Sequence, residues 1–209
     1  MYSFGKGICG GMEVENRRSK REAILNSALK IFERDGFYKA KVEDIAKEAN
    51  VGKGTIYEYF DSKKDLFYQM VKSMVDQYID DIQRIAEEDI DAISKLQNIV
   101  GFHLKPNKCD GNLGYVIHVE AIKSGIGEEL KLLYMGLRSR QIDLTEKIIL
   151  EGIESKVFKE INAYMAAMFF IGGVHQFNIE LNHIERNSDN EKNIDVEEIL
   201  DTFLNGLAR

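Results

Sequence analysis

Proline is nearly missing from this chain: Pro106 is the single one among 209 residues. Proline removes a backbone donor and stops helices, so its scarcity leaves long helical stretches open on both sides of residue 106. Cysteine is equally sparse, and Cys9 and Cys109 share no metal or redox spacing, which excludes a disulfide framework or a thiolate metal centre. Two isolated thiols suit a reduced, cytoplasmic protein. An excess of positive charge is also lacking, with 28 Lys and Arg against 35 Asp and Glu for a net charge of -7. That balance argues against a protein that coats nucleic acid along its whole surface. No run is long enough to cross a bilayer, since the most apolar stretch, Ala163 to Val174, is too short. No secretory signal opens the chain; residues 1 to 11, with glycines at 5, 7, 10 and 11, are expected to be part of a flexible leader over residues 1–16, and Met12 is a second plausible start.

Catalytic signatures are absent too. Gly52-Lys53-Gly54-Thr55 resembles a phosphate-binding loop, but Gly follows the lysine where Ser or Thr belongs, and Lys47 stands where the earlier glycine is required. There is no Ser-His-Asp order, paired carboxylate site or dinucleotide fingerprint. An enzyme is therefore not expected, nor a cofactor. Histidines 103, 118 and 175 with Glu120 show no i, i+4 ligand pairing, so no metal site is expected either.

What the chain does have is helical periodicity from end to end, with 44% hydrophobic and 30% charged residues, as in an ordinary globular protein. The expected fold is all-α with about nine helices: three in an N-terminal unit over residues 17–62, then roughly 62 to 87, 91 to 105, 112 to 124, 127 to 155, 160 to 184 and 194 to 207. The segment around Pro106 and the polar residues 187 to 193 read as loops.

The most informative stretch is residues 42 to 60. Val42, Ile45, Ala46 and Ala49 fall at i, i+3, i+4 and i+7, along one helical face. Asn50-Val51-Gly52 then breaks the helix, because Asn tolerates the left-handed backbone that ends a helix and Gly is an acceptable N-cap. A second helix starts at Lys53. Ile56 and Phe60 form its inward pair, leaving Lys53, Thr55, Tyr57 and Glu58 outward and Tyr59 on the flank. A cation, a hydroxyl and phenols on one outer face suit phosphates and base edges, as in a helix-turn-helix whose second helix enters the major groove. A plain helix hairpin with a polar outside remains the alternative. Upstream, Ser19 to Glu22 has the capping-box pattern, followed by Ile24, Leu25, Ala28, Ile31 and Phe32 on one stripe and Gly36 as terminator. Arg17, Arg18, Lys20 and Arg21 give a basic cluster suited to a DNA backbone.

Lys20 to Phe37, Val42-Glu-Asp-Ile-Ala46, Val51-Gly-Lys-Gly-Thr-Ile-Tyr-Glu-Tyr-Phe60 and Ser62-Lys63 together resemble the DNA-binding domain of the tetracycline-repressor (TetR) family, over about residues 17 to 70. The resemblance implies a homodimeric, all-helical, ligand-responsive regulator, usually a repressor, with a helix-turn-helix domain at 17–62 and a ligand-binding and dimerisation domain at 63–209. By position it implies DNA contacts from Lys53, Gly54, Thr55, Tyr57, Glu58 and Tyr59, with Lys63 on a phosphate. Three residues depart from the family pattern. Lys41 replaces a capping threonine, exchanging a cap for a cation that seeks phosphate; Gly52 replaces a serine; and Glu58 brings a carboxylate that repels phosphate unless it accepts from a cytosine amino group. The charge partition fits a DNA reader: residues 1 to 66 hold 13 Lys and Arg against 11 Asp and Glu, while the remainder holds 15 against 24.

Ala163 to Val174 is apolar all round, so it must be buried on both sides. With the last helix it is expected to form a four-helix dimer interface through Tyr164, Met168, Ile171, Gly172, His175, Leu200 and Phe203; a central core helix of a monomer is the alternative. Aromatics with a few polar groups on the middle helices are candidate pocket residues: Phe102, His103, Tyr115, His118, Tyr134, Arg138, Phe170 and His175. Arg138 beside an apolar cavity suits a carboxylate or acyl-thioester effector, and family members that respond to fatty acyl-CoA have a comparable layout. The partners expected are double-stranded DNA, a small-molecule effector and a second copy of the chain, with no membrane. The rival class is a helical small-molecule-binding protein or enzyme in which the helix pair is only structural.

Overall fold

The computed structural model describes residues 9–104, 127–184 and 196–205. Eight helices lie among them: α1 (Cys9–Lys39), α2 (Val42–Glu48), α3 (Lys53–Tyr59), α4 (Lys63–Glu87), α5 (Ala92–Leu104), α6 (Gly127–Glu154), α7 (Ala163–Ile184) and α8 (Val196–Asn205), with no strand among the described residues. The fold is all-α as expected. The helix expected at 112 to 124 and the loop at 187 to 193 lie outside the described residues.

Local sequence explains most of the helix ends. Ser62 caps α4, its Oγ accepting from the Asp65 amide at 3.0 Å, while Asp65 Oδ2 accepts from the Asp61 amide at 3.0 Å. Asp91 caps α5 through the Ser94 amide, and Asn162 caps α7 through the Met165 amide. Lys41 is the N-cap of α2 without a side-chain capping bond, as its chemistry dictates. One boundary differs from expectation: α1 begins at Cys9 and runs through Ser19, so Ser19 is interior to the helix and caps nothing. A Ser-x-x-Glu pattern is compatible with a helix interior when no proline or glycine precedes it closely, and residues 12 to 18 contain neither.

The described residues form two compact units, 9–74 with 127–130, and 75–104 with 131–184 and 196–205. In the first, Ile24, Leu25, Ala28 and Phe32 of α1 are buried together with Ile45 and Ala46 of α2, Ile56 of α3, and Leu66, Phe67 and Met70 of α4. The Phe32 and Phe67 rings meet edge to face at 5.1 Å, and Phe37 meets Phe67 at 5.2 Å. The early turns of α4 therefore complete the core that holds the short helices. Each buried phenylalanine contributes about 1.5–3 kcal/mol to that core.

The second unit is built on Ile82 of α4, Leu96, Ile99 and Val100 of α5, Leu144 and Ile148 of α6, Phe170 and Val174 of α7, and Ile199 and Leu200 of α8. Helix α5 packs against both α7 and α8. No described helix is long and apolar enough to cross a membrane.

Candidate nucleic-acid interface and regulatory core

Helices α2 and α3 meet through a turn whose geometry follows from three residues. Asn50 takes a left-handed conformation at φ 53°, the Val51 amide closes back onto the Ala46 carbonyl at 2.9 Å, and Gly52 starts α3 with an extended backbone. Within α3, Ile56 is buried and Phe60 beyond its end is buried with it. That anchoring turns Lys53, Gly54, Tyr57 and Glu58 to solvent, with Thr55 and Tyr59 half-buried at the edges. Lys53, Tyr57 and Glu58 face outward and Tyr59 sits on the flank as spacing predicts, whereas Thr55, also expected outward, is half-buried; Lys41 is exposed.

The cations here have partners. Lys53 Nζ donates to Glu43 Oε1 at 2.6 Å, a contact between the first residue of α3 and the first turn of α2. The bond to Glu43 raises the Lys53 pKa, and the same bond lowers that of Glu43. Lys63 Nζ donates to the Tyr38 carbonyl at 3.2 Å and lies 4.8 Å from the Phe37 ring centre, at the corner where α1 ends. Arg21 turns inward, donating to Gln69 Oε1 at 2.9 Å with its guanidinium 5.5 Å from the Phe60 ring centre. Arg17 and Arg18 lie within α1.

In the second unit, side chains from four helices join in a polar chain. Gln141 of α6 donates to the Tyr78 hydroxyl of α4, Tyr78 donates to His103 Nε2 of α5 at 2.5 Å, and His103 Nδ1 donates to the Ile99 carbonyl at 2.8 Å. The carbonyl can only accept, which fixes the His103 tautomer and with it the direction of the whole chain. Gln141 Nε2 also lies 3.3 Å from His175 Nε2 of α7, and the two imidazoles are 5.7 Å apart. Burial lowers the pKa of His103; burial first, then the charges of His103 and Arg138, lowers that of His175 to about 4. Both rings are neutral near pH 7.

The structure thus brings together three of the candidate pocket residues, Phe102, His103 and His175, the Phe102 and His103 rings meeting edge to face at 5.8 Å. Phe170 belongs to the apolar core and packs on Phe203, while Tyr134 and Arg138 are exposed. Tyr115 and His118 lie outside the described residues. Tyr78 and Gln141 were not singled out by sequence reasoning; the signal was available in their spacing, since Tyr78 sits on the stripe of Ile82 and Ala86, and Gln141 on that of Leu144 and Ile148.

Of the residues expected at a dimer interface, Tyr164, Met168 and Gly172 face outward on α7, joined by Met165 and by Phe169, which is 71% exposed. Ile171 and Leu200 point the other way, into the core of the same chain, while Phe203 and His175 are half-buried. Beside the outward face lies a cleft of about 690 Å³ lined by Ile93, Ile149, Phe158, Ile161, Phe169 and Phe203.

Residues 24–70 match the family model described as bacterial regulatory proteins, tetR family. The fatty acid metabolism regulator protein of Bacillus subtilis (strain 168) is 27% identical over 164 residues, 78% of this chain and 84% of that protein. Among solved structures, the transcriptional regulator FadR from Bacillus subtilis in complex with stearoyl-CoA superposes with a TM-score of 0.70 at 23% identity, covering 90% of this chain and 99% of that one. The fatty acid degradation regulator FadR from Bacillus halodurans gives 0.69 at 25% identity, with 90% and 99% covered.

Proposed function

Since the chain belongs to the tetR family of bacterial regulatory proteins, we propose that it is a ligand-responsive transcriptional repressor that binds a palindromic operator as a homodimer and leaves it when a long-chain fatty acyl-CoA binds. The observation that carries the DNA-reading part is α3: Ile56 and Phe60 are buried, so Lys53, Tyr57 and Glu58 point away from the core, with Thr55 half-buried at the edge. A helix so anchored presents donors and acceptors at the depth of a major groove. Lys41, Arg17, Arg18 and Lys63 supply the phosphate contacts that fix its register.

The outward apolar stripe of α7, with Tyr164, Met165, Met168 and Phe169, supports a second copy of the chain as its occupant. Contiguous exposed apolar surface of this kind is costly in water and marks an interaction site. Two recognition helices held about 34 Å apart then read successive turns of the duplex.

The effector class rests on the Bacillus subtilis relative, whose name ties it to fatty acid metabolism, and on the regulatory unit itself. Neutral imidazoles, one buried and one half-buried, with a phenol and a carboxamide beside an apolar core suit the carbonyl and acyl parts of a thioester, and Arg138 suits its anionic portion. Binding energy that differs between two arrangements of the dimer shifts the population toward the one with the wrong separation for DNA. The test is to select binding sites from randomised duplexes and then titrate the complex with stearoyl-CoA or with coenzyme A alone. A palindromic site released by the acylated compound and not by the free coenzyme is expected; release by neither overturns the effector assignment.

A further inference from the structure

Glu43 and Lys53 form an ion pair across the turn between α2 and α3, in the middle of the proposed DNA-facing surface. The helices beneath them are fixed by buried Val42, Ile45, Ala46 and Ile56, so the two side chains meet from rigid supports. Both are exposed, and the 2.6 Å separation is that of a charge-assisted hydrogen bond. The other acids of these helices are engaged or placed elsewhere: Asp44 is half-buried and its charge acts on Arg34, Glu48 pairs with Lys30 at 2.9 Å, and Glu58 faces outward along α3. An isolated lysine on a surface samples many rotamers, and holding it in one lowers the entropy lost when it binds. Its ammonium has three donors, of which Glu43 takes one and leaves two.

We propose that Glu43 is a specificity-determining positioning residue, which holds the Lys53 ammonium over the groove so that it reads a base edge instead of reaching for the nearest phosphate. Phosphate contacts carry no sequence information, whereas lysine donating to guanine O6 and N7 does. Releasing Lys53 from Glu43 then exchanges a base contact for a phosphate contact. Preference at one base pair falls, affinity for unrelated DNA rises, and the salt dependence on unrelated DNA steepens by about one unit. This rests on α3 being the recognition helix.

The experiment selects binding sites from a randomised duplex pool with the full-length wild type and with Glu43→Gln, Lys53→Met, the double variant, and Glu48→Gln as a charge control on the same helix. Thermal melting of each confirms the fold, which exposed side chains leave intact. The wild type is expected to select a motif, Lys53→Met to lose preference at one base pair of it, and Glu43→Gln to lose about tenfold of its preference at that same pair. The double variant should be no worse than Lys53→Met, and Glu48→Gln should keep the full motif. A Glu43→Gln motif identical to the wild type, a change at a different base pair, or additive losses in the double variant each overturn the positioning role while leaving the recognition helix standing. A wild type that selects no motif removes the recognition helix and this inference with it.

Discussion

Lys63 shows how one residue serves two demands. Its ammonium is held by the Tyr38 carbonyl and the Phe37 ring, at the start of α4, and in the proposed reading it also meets a phosphate. Lys63→Ala is expected to weaken binding to all DNA sequences alike and to reduce the slope of log affinity against log salt by about one, read by anisotropy titration at several salt concentrations. His175 makes a different demand. Its pKa in the folded chain is lowered to about 4 by burial, below its ordinary value, so the unfolded chain binds the proton first as pH falls. The stability it contributes is complete above about pH 6.5 and is lost between there and pH 4, up to about 3 kcal/mol, with buried His103 adding in the same direction. Denaturant unfolding at pH 7 and pH 4.5 should show the loss, and His175→Gln should shrink it. The outward order of α3 was legible in sequence because it depends on a period within one helix. The Glu43–Lys53 pair was not, since it depends on how two helices cross, and the Tyr78–His103–Gln141 chain was not, since it joins three helices far apart in sequence.

At the scale of elements, two glycines set the shape. Gly36 has φ 71° and ψ 166° inside α1 and kinks the helix there, a conformation nearly confined to glycine that costs other residues roughly 1–3 kcal/mol. Gly152 lies under the Phe158 ring, where an added Cβ would sit 2.1 Å from a ring carbon. Gly152→Ala is therefore expected to lower stability by about 1–3 kcal/mol, visible as a lower melting temperature, while DNA contacts on α3 stay in place. Phe32→Ala, in the core under α2 and α3, should cost about 3–5 kcal/mol and abolish DNA binding by loosening the helices it supports. Helix existence and most ends were readable from caps and periodicity, Asn50 and Ser62 among them. The start of α1 was not, because a capping pattern at Ser19 reads the same at a helix start as in its interior. The early turns of α4 were assigned to the following domain in sequence; Leu66, Phe67 and Met70 bind them into the first compact unit, a matter of tertiary burial that spacing does not reveal.

Across the whole chain, the acidic excess falls outside the N-terminal 66 residues, which hold 13 Lys and Arg against 11 Asp and Glu, so the proposed DNA-facing half is the one that would repel a duplex least. Two identical readers are needed for a palindrome, and Phe169→Glu on the outward face of α7 is expected to turn a dimer into a monomer in sedimentation at micromolar concentration. Regulation of this kind depends on α3 reading DNA. Tyr57 is 46% exposed and outside the core, so Tyr57→Ala is expected to leave the melting temperature nearly unchanged. Titrating the selected duplex with wild type and Tyr57→Ala at fixed salt shows whether α3 does so. A loss of about tenfold or more for that duplex, with binding to unrelated DNA little changed, is expected; equal affinity of the two proteins for the selected duplex would contradict it.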